Sequence, residues 1–104
     1  MPNSSSMNSV LEARRLVISG QVQGVSFRAA MVTEARRHGA RGWVRNLTGG
    51  QVEAVIGGSG ETVALMIAWA RRGPPAALVT QVLVEEAQPE ALTDYEHFIQ
   101  IASL

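Results

Sequence analysis

The chain has 104 residues, with nine basic and nine acidic side chains and no net charge, which suits one domain and leaves no room for two. It has no cysteine, two histidines (His38 and His97) and one aspartate (Asp94), so disulfides, thiolate nucleophiles and the familiar His/Cys metal spacings are excluded. No apolar run is long enough to span a bilayer, and a neutral chain with five aromatic residues lacks both the basic face and the stacking surface of a nucleic-acid module.

Residues 1–12 open with MPNSSSMNSV, which has neither a basic nor an apolar stretch and reads as a polar, disordered tail, not a secretory signal. The domain is expected over 13–104. Ala13 to Ser19 alternates and is partly β-branched, predicting a strand. Gly20 to Phe27 is a glycine-bearing turn. Apolar Phe27, Ala30, Met31 and Ala35 recur every three to four residues and predict a helix over 26–38, with Gly39 just past its end. Residues 42–47 and 51–56 read as strands joined by Thr48-Gly49-Gly50, a β-hairpin. Gly57 to Gly60 reads as a flexible connection. A second helix is predicted over 61–72, acidic at its start and ending in Arg71-Arg72, with Gly73-Pro74-Pro75 to stop it. Residues 78–86 predict a fourth strand and 95–101 a fifth. The order β-α-β-β-α-β plus a C-terminal strand is that of an α+β, ferredoxin-like sandwich: two helices on one face of a mainly antiparallel sheet, strand order 4-1-3-2.

Chemistry concentrates in GQVQGVSFR, residues 20–28. Gly20 and Gly24 open backbone conformations closed to other residues, and the loop leads into a helix N-terminus, where free N–H groups favour an anion. Arg28, in or just after the first helical turn, can add a bidentate contact to a phosphate. The same residues also suit a plain tight turn with a solvated arginine. In a 4-1-3-2 sheet, Asn46 at the end of the second strand can face this loop. A neutral amide suits holding a water beside a phosphate, where a carboxylate would repel the dianion; taken alone, the plainer reading is a turn-proximal asparagine. Alternation turns Arg45 to the opposite face, so it is left out of the catalytic set. Ser26 has no base beside it and reads as a helix-start residue. No acidic cluster is arranged to hold magnesium. This equipment suits an acyl phosphate, whose carboxylate leaving group needs no general acid, with positioning and electrostatics carrying most of the catalysis.

Gly20-Gln21-Val22-Gln23-Gly24-Val25-Ser26-Phe27-Arg28 resembles the signature loop of acylphosphatases, and Gly42-Trp43-Val44-Arg45-Asn46 resembles their second signature. Arg71-Arg72-Gly73-Pro74-Pro75 and the valines after it resemble the end of their second helix and their fourth strand, so the likeness covers residues 14–86. Ala29-Ala30 and the Thr48-Gly49-Gly50 turn depart from the usual pattern without touching Arg28 or Asn46. The resemblance implies hydrolysis of a carboxyl–phosphate bond with no metal and no cofactor. By it, Arg28 binds the phosphate together with the backbone N–H groups of Gln21, Val22, Gln23, Gly24 and Val25, and Asn46 positions the attacking water. The expected partner is a small-molecule acyl phosphate, with no nucleic acid and no membrane, for a cytoplasmic monomer. The competing expectation is a non-catalytic ferredoxin-like module that binds an anion or a partner. Trp43 and Trp69 are expected to pack in the core or between helices and sheet. The arginine pairs 14–15, 36–37 and 71–72 are expected to be solvated.

Overall fold

The computed structural model describes residues 11–104. Strand β1 (Glu12–Gln21) leads to helix α1 (Phe27–Arg37), the β2–β3 hairpin (Arg41–Asn46 and Val52–Gly58), helix α2 (Gly60–Arg72) and strand β4 (Leu78–Glu86). A 3-10 turn at Pro89–Leu92 and a short strand β5 (Phe98–Gln100) follow. The sheet order is β4-β1-β3-β2-β5, antiparallel throughout except for β5, which runs parallel to β2. Two helices on this sheet make the ferredoxin-like sandwich with one strand added beside β2.

Burial follows from strand position. Strand β3 is central and buried at every residue from Val52 to Gly58. Between sheet and helices lie Leu16, Ile18, Phe27, Met31, Val44, Ile56, Met66 and Phe98, all fully buried. Fully burying one such side chain stabilises the fold by about 1.5–3 kcal/mol. The second face of the sheet has its own small cluster of Ala13, Val55 and Leu92, with Trp43 and Tyr95 packed against it.

Four expectations are corrected. Most of the expected tail, residues 1–10, lies outside the described residues, and Glu12, expected as its last residue, is the first of β1, paired with Gly58. The expected Gly57–Gly60 connection instead completes β3 and opens α2. A Cβ at Gly57 would lie 2.2 Å from Leu92 Cδ1, so the glycine leaves the room that the Leu92 side chain occupies over the sheet. Ser59 caps α2, its Oγ accepting from the Thr62 N–H at 3.1 Å. The fifth strand keeps only three of its seven expected residues, because the chain from 89 to 97 is used to cover the second face with Leu92 and Tyr95. Finally, the arginine pairs are not all solvated. Arg15 bonds Glu53 and Glu85, and Arg36 Nε donates to the Phe98 carbonyl at 3.1 Å. Trp69 meets Phe27 at 5.4 Å in the helix-side core, whereas Trp43 lies on the other face under the Arg45 guanidinium.

Candidate active site

The site starts from a bulge. Between Ser19 and Gly20 the β1–β4 register slips by one residue, and the pairing resumes only for Gly20 and Gln21 before the chain leaves the sheet. Gly20 has φ +122°, and a Cβ there would lie 2.1 Å from the Leu78 carbonyl oxygen, so glycine is required for this close crossing. Val22 then drops into the core at 1% exposure and Phe27 at 1%, pinning both shoulders of the loop. Between them stand two left-handed residues, Gly24 (φ +75°) and Ser26 (φ +65°). Ser26 is the sole non-glycine residue with positive φ among the described residues. The conformation costs a serine about 1–2 kcal/mol relative to the right-handed region. Such strain persists only where neighbours over-determine the chain, here the buried Val22 and Phe27. Ser26 occupies the N-cap position of α1, as expected, but its hydroxyl caps no N–H, and the first turn carries no acidic residue. The helix N-terminus therefore meets the loop with its positive end unneutralised from within.

A cavity of about 330 Å³ sits at this junction, lined by Val22, Gln23, Gly24, Ser26, Phe27, Arg28, Ala29, Asn46 and Gln100. Of the expected site residues, Arg28 and Asn46 meet here with Val22, Gln23 and Gly24, while Gln21 and Val25 do not line it. Gln21 closes the β1–β4 ladder opposite Leu78, and Val25 packs on the core. Among the described residues, Arg28 is the only charged one in the lining. Its Nη1 donates at 3.4 Å to Ser103 Oγ, brought in by residues 101–104 running beside β2. Ile101 N–H donates to the Val44 carbonyl at 2.9 Å and Leu104 N–H to the Asn46 carbonyl at 3.0 Å.

Asn46 is the last residue of β2 and lies on the same face as the buried Val44, the helix side. Its Oδ1 is buried and accepts no hydrogen bond from the protein, the one such side-chain atom among the described residues. Most buried polar atoms have partners, so this acceptor is the one left free for a group from outside the described residues. Arg45, one residue earlier, points to the other face as expected. There its Nε donates at 2.7 Å to Glu53, which Arg15 also holds at 2.6 Å. Burial pushes the Glu53 carboxyl up, yet the hydrogen bonds and charges of Arg15 and Arg45 outweigh it and hold its pKa below the ordinary value. The bonds that Arg15 donates to Glu53 and then to Glu85 raise its guanidinium in turn. This ladder is separate from the cavity.

Two contributors were not visible in the sequence: the left-handed Ser26, which no residue pattern signals, and Ser103, which reaches the site from 75 positions away. Among the described residues no three histidine, aspartate or glutamate side chains gather as metal ligands, and no helix is long and apolar enough to cross a membrane.

The family model for acylphosphatase matches residues 14–98. The chain belongs to the acylphosphatase family. An acylphosphatase of Thermococcus kodakarensis is 53% identical over 81 residues, covering 78% of this chain and 89% of that protein. One from Trichormus variabilis is 44% identical over 96 residues, covering 92% and 94%. The solved acylphosphatase of Coxiella burnetii superposes with a TM-score of 0.80 at 34% identity, over 88% of this chain and 93% of its own. With relatives this similar over nearly their whole length, the family model, the sequence comparison and the fold agree on that membership.

Proposed function

We propose that the chain hydrolyses the carboxyl–phosphate bond of small acyl phosphates, with Arg28 and the backbone N–H groups of residues 22–24 holding the phosphate and Asn46 seating the water. The observation that carries this reading is the buried, partnerless Oδ1 of Asn46 in the same cavity as Arg28. The phosphate enters against the loop and the N-terminus of α1, displacing the long contact between Arg28 and Ser103. Backbone N–H groups and one guanidinium then face the charge that develops on the phosphoryl oxygens. A water donates one hydrogen to Asn46 Oδ1 and lies in line with the phosphorus. Its oxygen forms the new P–O bond while the bond to the acyl oxygen breaks and the electron pair leaves on the carboxylate. The second water proton passes to a phosphoryl oxygen, so the products are a carboxylate and inorganic phosphate. A neutral amide is favoured at this position because a carboxylate about 4 Å from a phosphate charge would add about 4 kcal/mol of repulsion at an effective dielectric of 20. The reading extends to a cytoplasmic monomer needing no metal, no nucleic acid and no membrane, supported by the resemblance and by the neutral composition.

The test is hydrolysis of benzoyl phosphate by the purified chain in the presence of a chelator, beside Arg28→Ala and Asn46→Ala. Each variant is expected to lose about 10²–10³ in rate, the usual effect of removing one preorganised contact. Among the described residues neither variant removes a side-chain hydrogen bond other than the one to Ser103, so both should melt close to the parent. Arg28→Ala should also weaken inhibition by inorganic phosphate, whereas Asn46→Ala should leave it intact. Chelator-sensitive turnover, or an Asn46→Ala variant as fast as the parent, would refute the assignment. Phosphate binding without any turnover would favour the anion-binding module.

A further inference from the structure

Gln23 stands in the middle of the loop, but its side chain does not reach for a ligand. Its Nε2 donates to the Leu47 carbonyl at 2.8 Å and to the Gln51 carbonyl at 2.9 Å. Both partners are acceptors, so the amide nitrogen must face them, and both of its hydrogens are consumed. The two carbonyls flank the turn of the β2–β3 hairpin. They are themselves tied together, since Leu47 N–H donates to the Gln51 carbonyl at 2.8 Å and Gly50 N–H to the Leu47 carbonyl at 3.1 Å. Leu47 follows Asn46 directly. One side chain thus clamps the middle of the phosphate loop to the strand end that carries the water holder. The loop packs on the core through Val22, Val25 and Phe27, but its midpoint at Gly24 is open, with nothing outside its own neighbours within 4 Å of a Cβ built there.

From this we infer that Gln23 is a positioning residue: its amide sets the separation between the loop that holds the phosphate and the Asn46 amide that holds the water. This rests on the assignment of Arg28 and Asn46 made above. The consequence is specific. Phosphate binding uses the loop's own backbone and Arg28, which the clamp does not supply, whereas attack depends on the distance between phosphorus and water. A misplacement of about 1 Å between reacting groups can cost about 10²-fold in rate.

Gln23→Met keeps the length of the side chain and removes both donors. The bonds are solvent-exposed, so the freed carbonyls can hydrate and the variant is expected to fold. With benzoyl phosphate, kcat should fall roughly 10–100-fold, while the inhibition constant for inorganic phosphate stays within about threefold. In the Asn46→Ala background the same substitution should cost less than about threefold, because no held water remains to be displaced; groups that act as a unit are non-additive in this way. Undiminished kcat in Gln23→Met overturns the positioning role alone. So does a loss confined to phosphate affinity, or a full multiplicative loss on top of Asn46→Ala. Absence of turnover in the parent, or full activity in Asn46→Ala, overturns the underlying assignment and the positioning role with it.

Discussion

Glu53→Gln separates stability from catalysis in this fold. The Glu53 side chain is 7% exposed and accepts from Arg15 Nε at 2.6 Å and Arg45 Nε at 2.7 Å. Glutamine preserves the shape but offers one acceptor, and its NH2 then faces a guanidinium donor. One charge-assisted bond is lost, worth about 1.5–3 kcal/mol. Arg15 is 36% exposed and water can replace part of its interaction, which favours the lower half of that range. At about 4–8 °C per kcal/mol for a domain of this size, a loss of about 2 kcal/mol lowers Tm by about 8–16 °C. The pH dependence has a definite sign. The folded carboxyl titrates below its unfolded value of about 4.3, so its stabilisation is fully present above that pH and is lost as pH falls through the depressed folded value. Thermal unfolding of parent and variant at matched pH between 7 and 3 should therefore show a gap that is widest near neutrality and narrows below about pH 4. At temperatures where both are folded, kcat with benzoyl phosphate should agree within about threefold, because Glu53 lies across the sheet from the cavity. A gap that stays constant down to pH 3, or one below about 0.5 kcal/mol at pH 7, would refute the account of the ladder.

Gly42→Ala should be far more damaging than its size suggests. A Cβ there would sit 1.9 Å from the Val55 carbonyl oxygen at φ +130°, within the β2–β3 ladder, so a loss of more than about 3 kcal/mol is expected, read as a collapse of Tm or of soluble yield. Gly24→Ala meets no atom within 4 Å and carries only the strain of φ +75°, so Tm should fall by the equivalent of about 1–2 kcal/mol and the fold should survive in circular dichroism.

The hairpin, both helices and the strand order were legible because each rests on local periodicity or turn chemistry. Thr48-Gly49-Gly50 between alternating runs, and Gly73-Pro74-Pro75 after an amphipathic stretch, carry their structure in a few neighbouring residues. Arg28 and Asn46 were legible as a pair because the strand order brings the end of β2 beside the loop after β1. What escaped depends on contacts between distant residues. Arg15 reads as one of a solvated pair until the β1–β3 and β1–β4 registers set it between Glu53, 38 positions away, and Glu85, 70 positions away. The shortening of the last strand depends on Leu92 finding a place over Gly57, a fit that no alternation pattern records. The side-chain contacts of Gln23 were hidden for a related reason: the resemblance points to its backbone N–H, while its amide is committed to carbonyls 24 and 28 positions away.

Adjacent residues of β2 do opposite work because a strand presents successive side chains to opposite faces. Arg45 joins an ion-paired ladder in which the buried Glu53 is met from both sides; Asn46 presents an acceptor that no group among the described residues meets. A buried acceptor left without any partner costs about 1–3 kcal/mol, so one that the chain does not pair persists where the backbone cannot shift to pair it. The end of β2 is such a place. The Asn46 carbonyl accepts from Leu104 N–H, its neighbour Leu47 is bonded to Gln51 and Gln23, and β2 lies between β3 and β5. The strained Ser26 follows the same logic on the other wall, held between buried Val22 and Phe27. Both unfavourable features of the cavity thus sit where several independent contacts constrain the chain. Relaxing those contacts should therefore erode catalysis before it erodes the fold. That order of failure distinguishes a preorganised active site from a merely tolerated defect.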